Sequence, residues 1–215
     1  ISPLFLGGPF ALIEPDKINP LAWELFAVRY VFTDWQELPV PSEIIADGAD
    51  RFGAINVHQL TDPRPFAQLV YDVQIVGSDD EARARLHDGS INPRQTALLA
   101  DDPALTLPDI APENAEAQVT DFAPEAFSVN VTTTENTILT LAHPNYPGWQ
   151  ATVDGQATVI LRAYGGLSAI AVPAGERVVS LRYDPLSYRV GANLSLVTWS
   201  LLGILGLGFV IRGRR

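Results

Sequence analysis

From about residue 117 to 183 the chain alternates polar and apolar positions in seven short segments separated by turn signals, the period of half-buried strands. Phe127, Val129 and Val131 face one way while Ser128, Asn130 and Thr132 face the other, and Trp149, Ala151 and Val153 alternate likewise with Gln150 and Thr152. Asp154-Gly155 supplies the pair of positive φ values that a tight hairpin needs. A return strand through Ala157, Val159 and Leu161 follows, then residues 167–172, the turn Pro173-Ala174-Gly175, and a last strand over 178–183. This spacing predicts a compact antiparallel β-sandwich.

Before residue 117 helix and strand signals mix. Asn19 caps a helix opened by Pro20 and carrying Leu21, Leu25 and Val28, and Tyr30-Val31-Phe32-Thr33 is a strand. Over residues 65–76, Ala67, Leu69, Tyr71, Val73 and Ile75 oppose Gln68, Val70, Asp72 and Gln74, which reads as one strand. Ser78 and Glu81 form a capping box opening a helix that Asp88-Gly89 closes, and residues 98–100 add a short strand. A Pro- and Asp-rich connector, residues 101–114, marks a subdomain boundary.

Residues 190–211 (VGANLSLVTWSLLGILGLGFVI) have neither period: 22 residues carry no charge. At 1.5 Å per residue such a helix is about 33 Å long, enough for a ~30 Å hydrocarbon core. Gly203, Gly206 and Gly208 suit close helix packing there. Arg212, Arg214 and Arg215 follow the run and outnumber Arg189 before it, so the basic end is expected in the cytoplasm and the folded part outside. The expected fold class is α+β: an α+β subdomain over residues 1–114, an antiparallel β-sandwich over 115–186, one C-terminal transmembrane helix over 190–211 and a basic cytoplasmic tail over 212–215. The opening Ile1, without Met or a basic leader, reads as the start of a processed piece of a larger membrane protein.

Charge narrows the partners. Residues 1–189 hold 11 basic and 25 acidic residues, a net −14, which argues against nucleic acid. The absence of cysteine excludes disulfides and thiolate sites. His58, His87 and His143 stand apart without partners at metal-ligand spacing, so neither metal nor cofactor is expected. The clusters Asp79-Asp80-Glu81 and Asp101-Asp102 read as a helix first turn and a solvated loop. No nucleophile elbow, phosphate loop or zinc helix occurs. The segment His143-Pro144-Asn145-Tyr146-Pro147-Gly148-Trp149 is a stiff turn displaying two aromatic rings. Such rings stack on sugars, but Trp149 also falls on an inward strand face.

Several stretches resemble the C-terminal region of the YfhO family of bacterial multi-pass membrane proteins. They are the run 25–33, Asp62-Pro63-Arg64-Pro65-Phe66, the run from Tyr146-Pro147-Gly148-Trp149 to Val153-Asp154-Gly155, Val172-Pro173-Ala174-Gly175, and Leu181-Arg182-Tyr183-Asp184-Pro185. The resemblance implies a relative of GT-C glycosyltransferases, which take sugar from a polyprenyl-phosphate carrier and decorate envelope polymers outside the membrane. In that superfamily the catalytic acid lies in a loop near N-terminal membrane helices that this sequence lacks, so no catalytic residue is carried over and the chain itself is expected to be non-catalytic. Pro65 departs from the family pattern, and Arg64 reads either as a ligand contact or as a strand-entry arginine paired with a surface carboxylate.

Candidate ligand-binding residues are therefore Tyr146, Trp149, Tyr164 and Arg64, with Arg212, Arg214 and Arg215 setting membrane orientation. Expected partners are the lipid bilayer, other transmembrane helices of the same protein or complex, and an envelope glycan. Two functions compete: an acceptor-positioning domain of a glycosyltransferase-like protein, and a non-catalytic accessory or scaffold subunit of a membrane complex.

Overall fold

The computed structural model describes residues 19–51 and 53–213. The Ile1 segment, Arg214 and Arg215 lie outside the described residues. Helix α1 (Pro20–Leu25) starts where its cap predicts, the Asn19 side chain accepting from the Leu21 N–H at 3.0 Å. Strand β1 (Tyr30–Thr33) joins β2 (Ser42–Asp50) and β3 (Gly53–Leu60) in a small antiparallel sheet of order β1-β3-β2. Neither β2 nor β3 is signalled by the hydropathy pattern, because much of this sheet is solvated. Its buried polar residues Asn56 and His58 share one carbonyl, Trp35 O, at 2.7 and 3.0 Å, and His58 Nδ1 pairs with Ser42 Oγ at 3.1 Å.

The remaining strands form two sheets. The five-stranded sheet has the order β11-β10-β14-β8-β7, built from β7 (Glu116–Ala123), β8 (Ala126–Thr133), β10 (Trp149–Val153), β11 (Gln156–Thr158) and β14 (Gly175–Tyr183). The six-stranded sheet has the order β4-β9-β13-β12-β6-β5. It contains β4 (Ala67–Val70), β5 (Asp72–Ile75), β6 (Thr96–Leu99), β9 (Thr137–Pro144), β12 (Leu161–Ala163) and β13 (Leu167–Val172). The Asp154-Gly155 turn has the expected positive φ at both residues, 51° and 78°.

The second layer differs from the sequence expectation. It takes β4, β5 and β6 from before the 101–114 connector and β9, β12 and β13 from after it, so the sandwich is not made by residues 117–183 alone. The run 65–76 is also not one alternating strand. Its halves pair with different neighbours, β4 antiparallel to β9 and β5 parallel to β6. Burial follows the break at Tyr71, with Val70 at 1% exposure and Ile75 at 49%, the reverse of simple alternation.

The edges β4 and β5 are separated in the chain only by Tyr71, so Val70 and Asp72 lie within about 7 Å and the sheet must curl until its edges meet. The register agrees: Val70 reaches Ala171 through Ile138, whereas Ile75 reaches Leu167 through Leu99 and Ala163. That stagger is what strand tilt in a barrel-like curl requires. A parallel pair needs a crossover, here α2 (Asp79–His87), capped by Ser78 Oγ on the Glu81 N–H at 3.1 Å and closed at Gly89, φ 74°.

Two cores result. Val70, Leu86, Leu98, Leu99, Ile138 and Leu161 form one cluster, which α2 joins through Leu86. Leu69, Leu139, Leu141, Ile170, Val129 and Leu181 pack between the sheets. Burying each such side chain contributes about 1.5–3 kcal/mol. Helix α3 (Leu186–Gly213) follows β14 after two residues. Its side chains from Leu186 to Ile204 are exposed. Among the described residues no helix is long and apolar enough to cross a membrane.

Because β6 lies between β12 and β5, cutting the connector should not separate the chain into two folding units. A protease site inserted after Asp109, cleaved in detergent, is expected to leave both fragments co-eluting on size exclusion; separation under native conditions would show two independent domains.

Candidate functional site

The end of the sandwich from which α3 departs is built around Gly148. Its φ is 105°, and a Cβ there would meet Tyr183 Cε2 at 2.8 Å and Pro185 Cβ at 3.1 Å, so only glycine lets the turn close on the strand end. The Gly148 carbonyl accepts from the Asp184 N–H at 2.8 Å, and the Glu125 carbonyl from the Tyr183 N–H at 2.8 Å. Pro185 O then accepts from the Tyr188 N–H at 3.1 Å in the first turn of α3. The Tyr146-Pro147-Gly148-Trp149 turn is thus a clamp on the strand that carries the helix.

Beside the clamp runs an aromatic cluster. Trp149 meets His143 edge-on at 4.4 Å, Tyr183 at 5.5 Å and Phe127 at 5.8 Å, and Phe66 meets Phe122 and Phe127 edge-on at 5.5 and 5.3 Å. Trp149 is half-buried, whereas Tyr146 is 62% exposed. Burial holds the His143 imidazole below the usual histidine range.

Arg64 and Tyr164 are brought together elsewhere, in the interior beside the core cluster that contains Tyr164. Arg64 is 1% exposed; its Nη2 donates to Thr140 Oγ1 at 2.6 Å, and its guanidinium lies 5.5 Å from the Tyr164 ring centroid. Nε and Nη1 have no partner among the described residues. Burial lowers the Arg64 pKa, opposed by the attraction of Tyr164 and Glu24. Burial pushes the Tyr164 phenol up to about 12, and its hydroxyl donates to Pro93 O at 2.8 Å. The surface ion pair weighed for Arg64 does not form: Arg94 binds Glu24 and Asp62 instead, tying α1 and the β3 exit to the turn before β6.

Of the four candidate ligand contacts, then, Arg64 and Tyr164 are interior, Trp149 lies in the cluster, and Tyr146 is free. Arg212 is exposed near the end of α3. A groove of about 620 Å³ beside β4, rimmed by Gln68, Asp72, Arg94 and Glu116, holds none of the four and had no sequence signal, since segments far apart in the chain line it. Among the described residues no group of three or more His, Asp or Glu could hold a metal ion.

Residues 110–195 match the family model described as bacterial membrane protein YfhO. Over that span the chain is similar to the YfhO family. No curated protein and no solved structure gives a match. The YfhO span contains the clamp, most of the aromatic cluster and the start of α3, while Arg64 lies before it. A YfhO-family protein is a membrane protein, so a rigid attachment of sandwich to helix is consistent with the matched region.

Two outcomes test these assignments. Arg64→Met removes a buried charge with incomplete partners and should leave stability within about 1 kcal/mol, whereas Thr140→Val strips its one hydrogen bond to protein and should cost about 1.5–3 kcal/mol, measured by chemical denaturation. His143 has a folded pKa below its unfolded one, so its contribution is present above the unfolded pKa of about 6.5 and is lost as pH falls through the folded value. Unfolding midpoints between pH 7 and 5 should fall in the parent chain and fall less in His143→Gln.

Proposed function

We propose that this chain is the membrane-anchored, extracytoplasmic sandwich of a glycosyltransferase-like membrane protein of the cell envelope, positioning an acceptor glycan rather than carrying out transfer. The observation that carries the reading is α3: a helix of 28 residues clamped to β14, with Val190, Leu194, Leu196, Trp199 and Ile204 all exposed. So many exposed apolar side chains on one helix, left uncovered by the domain, favour an apolar medium. The uncharged sequence run 190–211 has the length for a single span, and the arginines that follow it favour a cytoplasmic C-terminus.

Acceptor positioning draws on Tyr146, exposed at the α3 end, and on the groove beside β4 with its rim of Gln68, Asp72, Arg94 and Glu116. One or two rings bury little area, so affinity near the millimolar range, about −4 kcal/mol, is expected. Tethering to the same membrane as a lipid-linked donor raises the local concentration enough for weak contacts to serve. The scaffold reading gains from the burial of Arg64 and Tyr164, which leaves fewer groups for a sugar.

The chain is free of cysteine, so single-cysteine variants report cleanly. An impermeant thiol reagent on intact cells is expected to modify Gln156→Cys and spare Arg215→Cys; the opposite pattern reverses the orientation. NMR titration of the nanodisc-held chain with envelope polysaccharide should shift resonances at Tyr146 or along the groove, and Tyr146→Ala should weaken any shifts at that turn. No shifts, together with stoichiometric recovery of other membrane subunits, would leave the scaffold.

A further inference from the structure

We infer that Phe122 is a lipid-facing ring that seats the sandwich on the headgroup layer of the bilayer as a second point of contact beside α3. The inference rests on the reading of α3 as a membrane anchor and adds to it a definite orientation of the domain.

The sheet order β10-β14-β8-β7 puts β14, which feeds α3, at the centre of the five-stranded sheet. The β7–β8 hairpin turns at the same end, since Ala126 pairs with Arg182 and Tyr183 N–H reaches Glu125 O. Two strand spacings of about 4.8 Å place β7 some 10 Å to the side of the helix exit. From Leu186 to Val190, where the uncharged run begins, the helix rises about 6 Å. The headgroup layer of one leaflet is about 5–8 Å thick, so this end of the sheet cannot stand clear of it while α3 spans.

Phe122 is aimed for that position. A bulge between Thr120 and Ala123, with Asp121 at φ 46°, breaks the alternation of β7 and turns the ring outward. It is 67% exposed yet held from behind by Phe127, stacked at 5.8 Å, and Phe66. An apolar ring so fixed is poorly suited to water and well suited to an interface, where aromatic side chains concentrate. Tyr188, in the first turn of α3, is 73% exposed. The clamp at Gly148 makes the two contacts act together, because α3 cannot pivot freely away from the hairpin.

Spin labels on single cysteines in the full chain, reconstituted in phosphatidylcholine–phosphatidylglycerol nanodiscs, test this. Oxygen-to-nickel-chelate accessibility at Phe122→Cys should be several-fold above that at Gln156→Cys, at the far end of the sandwich, and below that at Leu201→Cys within α3. Glu125→Cys, which keeps the ring and its packing, should show the same intermediate value. An aqueous ratio at both hairpin positions with a lipid ratio at Leu201 overturns the seating but leaves the anchor. An aqueous ratio at Leu201 as well overturns both.

Discussion

Residues 137–141 of strand β9 have no solvent face, and the architecture depends on that. Thr137, Ile138, Leu139, Thr140 and Leu141 are all at or near zero exposure. Ile138 belongs to the cluster that Leu86 of α2 joins, while Leu139 and Leu141 pack between the sheets, so one backbone serves both cores. β13 does the same with Ala169 and Ile170. A strand buried on two faces must have neighbours on both edges and layers on both sides, which is why the fold recruits β4, β5, β6 and α2 from the first half of the chain.

Burial on this scale leaves polar groups to satisfy. Thr137 and Thr140 return their hydroxyls to the carbonyls of β4, at 3.1 Å each, so the central strand is tied to its neighbour by side chains as well as by the ladder. Arg64 is harder to explain by stability alone. It enters from the segment before β4 and takes one hydrogen bond and one aromatic face inside the core. A charge in that setting generally stabilises less than an apolar side chain of the same shape. Its effect is better sought in specificity: only one placement of the 61–66 segment brings the guanidinium to both Thr140 and Tyr164.

The clamp links this rigid body to the membrane reading. A flexible linker would let the sandwich sample many heights above a bilayer, whereas two residues between β14 and α3, fastened by Gly148 and Pro185, leave little freedom. Whatever the domain presents, whether the exposed Tyr146 or the groove beside β4, is then presented at a fixed distance from the lipid. The acidic surface, −14 over residues 1–189, disfavours close approach of anionic headgroups except where apolar rings face them.

Much of the local structure could be read from the chain. The Asn19 and Ser78 caps, the Asp154-Gly155 turn and β1 depend on residues within a few positions of one another, and they stand where the pattern put them. The strands of the five-stranded sheet were legible because one face is wet, which imprints alternation. The runs 65–76 and 156–163 were misleading for the opposite reason. Each changes neighbours midway, at Tyr71 and at Val159-Ile160, and polarity records burial rather than pairing partners. The solvated hairpin β2–β3 left little apolar imprint to read. The candidate residues divide in the same way. That Tyr146 sits on a stiff exposed turn followed from its prolines and glycine, but the burial of Arg64 against Tyr164 depends on residues one hundred positions apart. Only closure of the curled sheet brings them together, and no local pattern in the sequence records it.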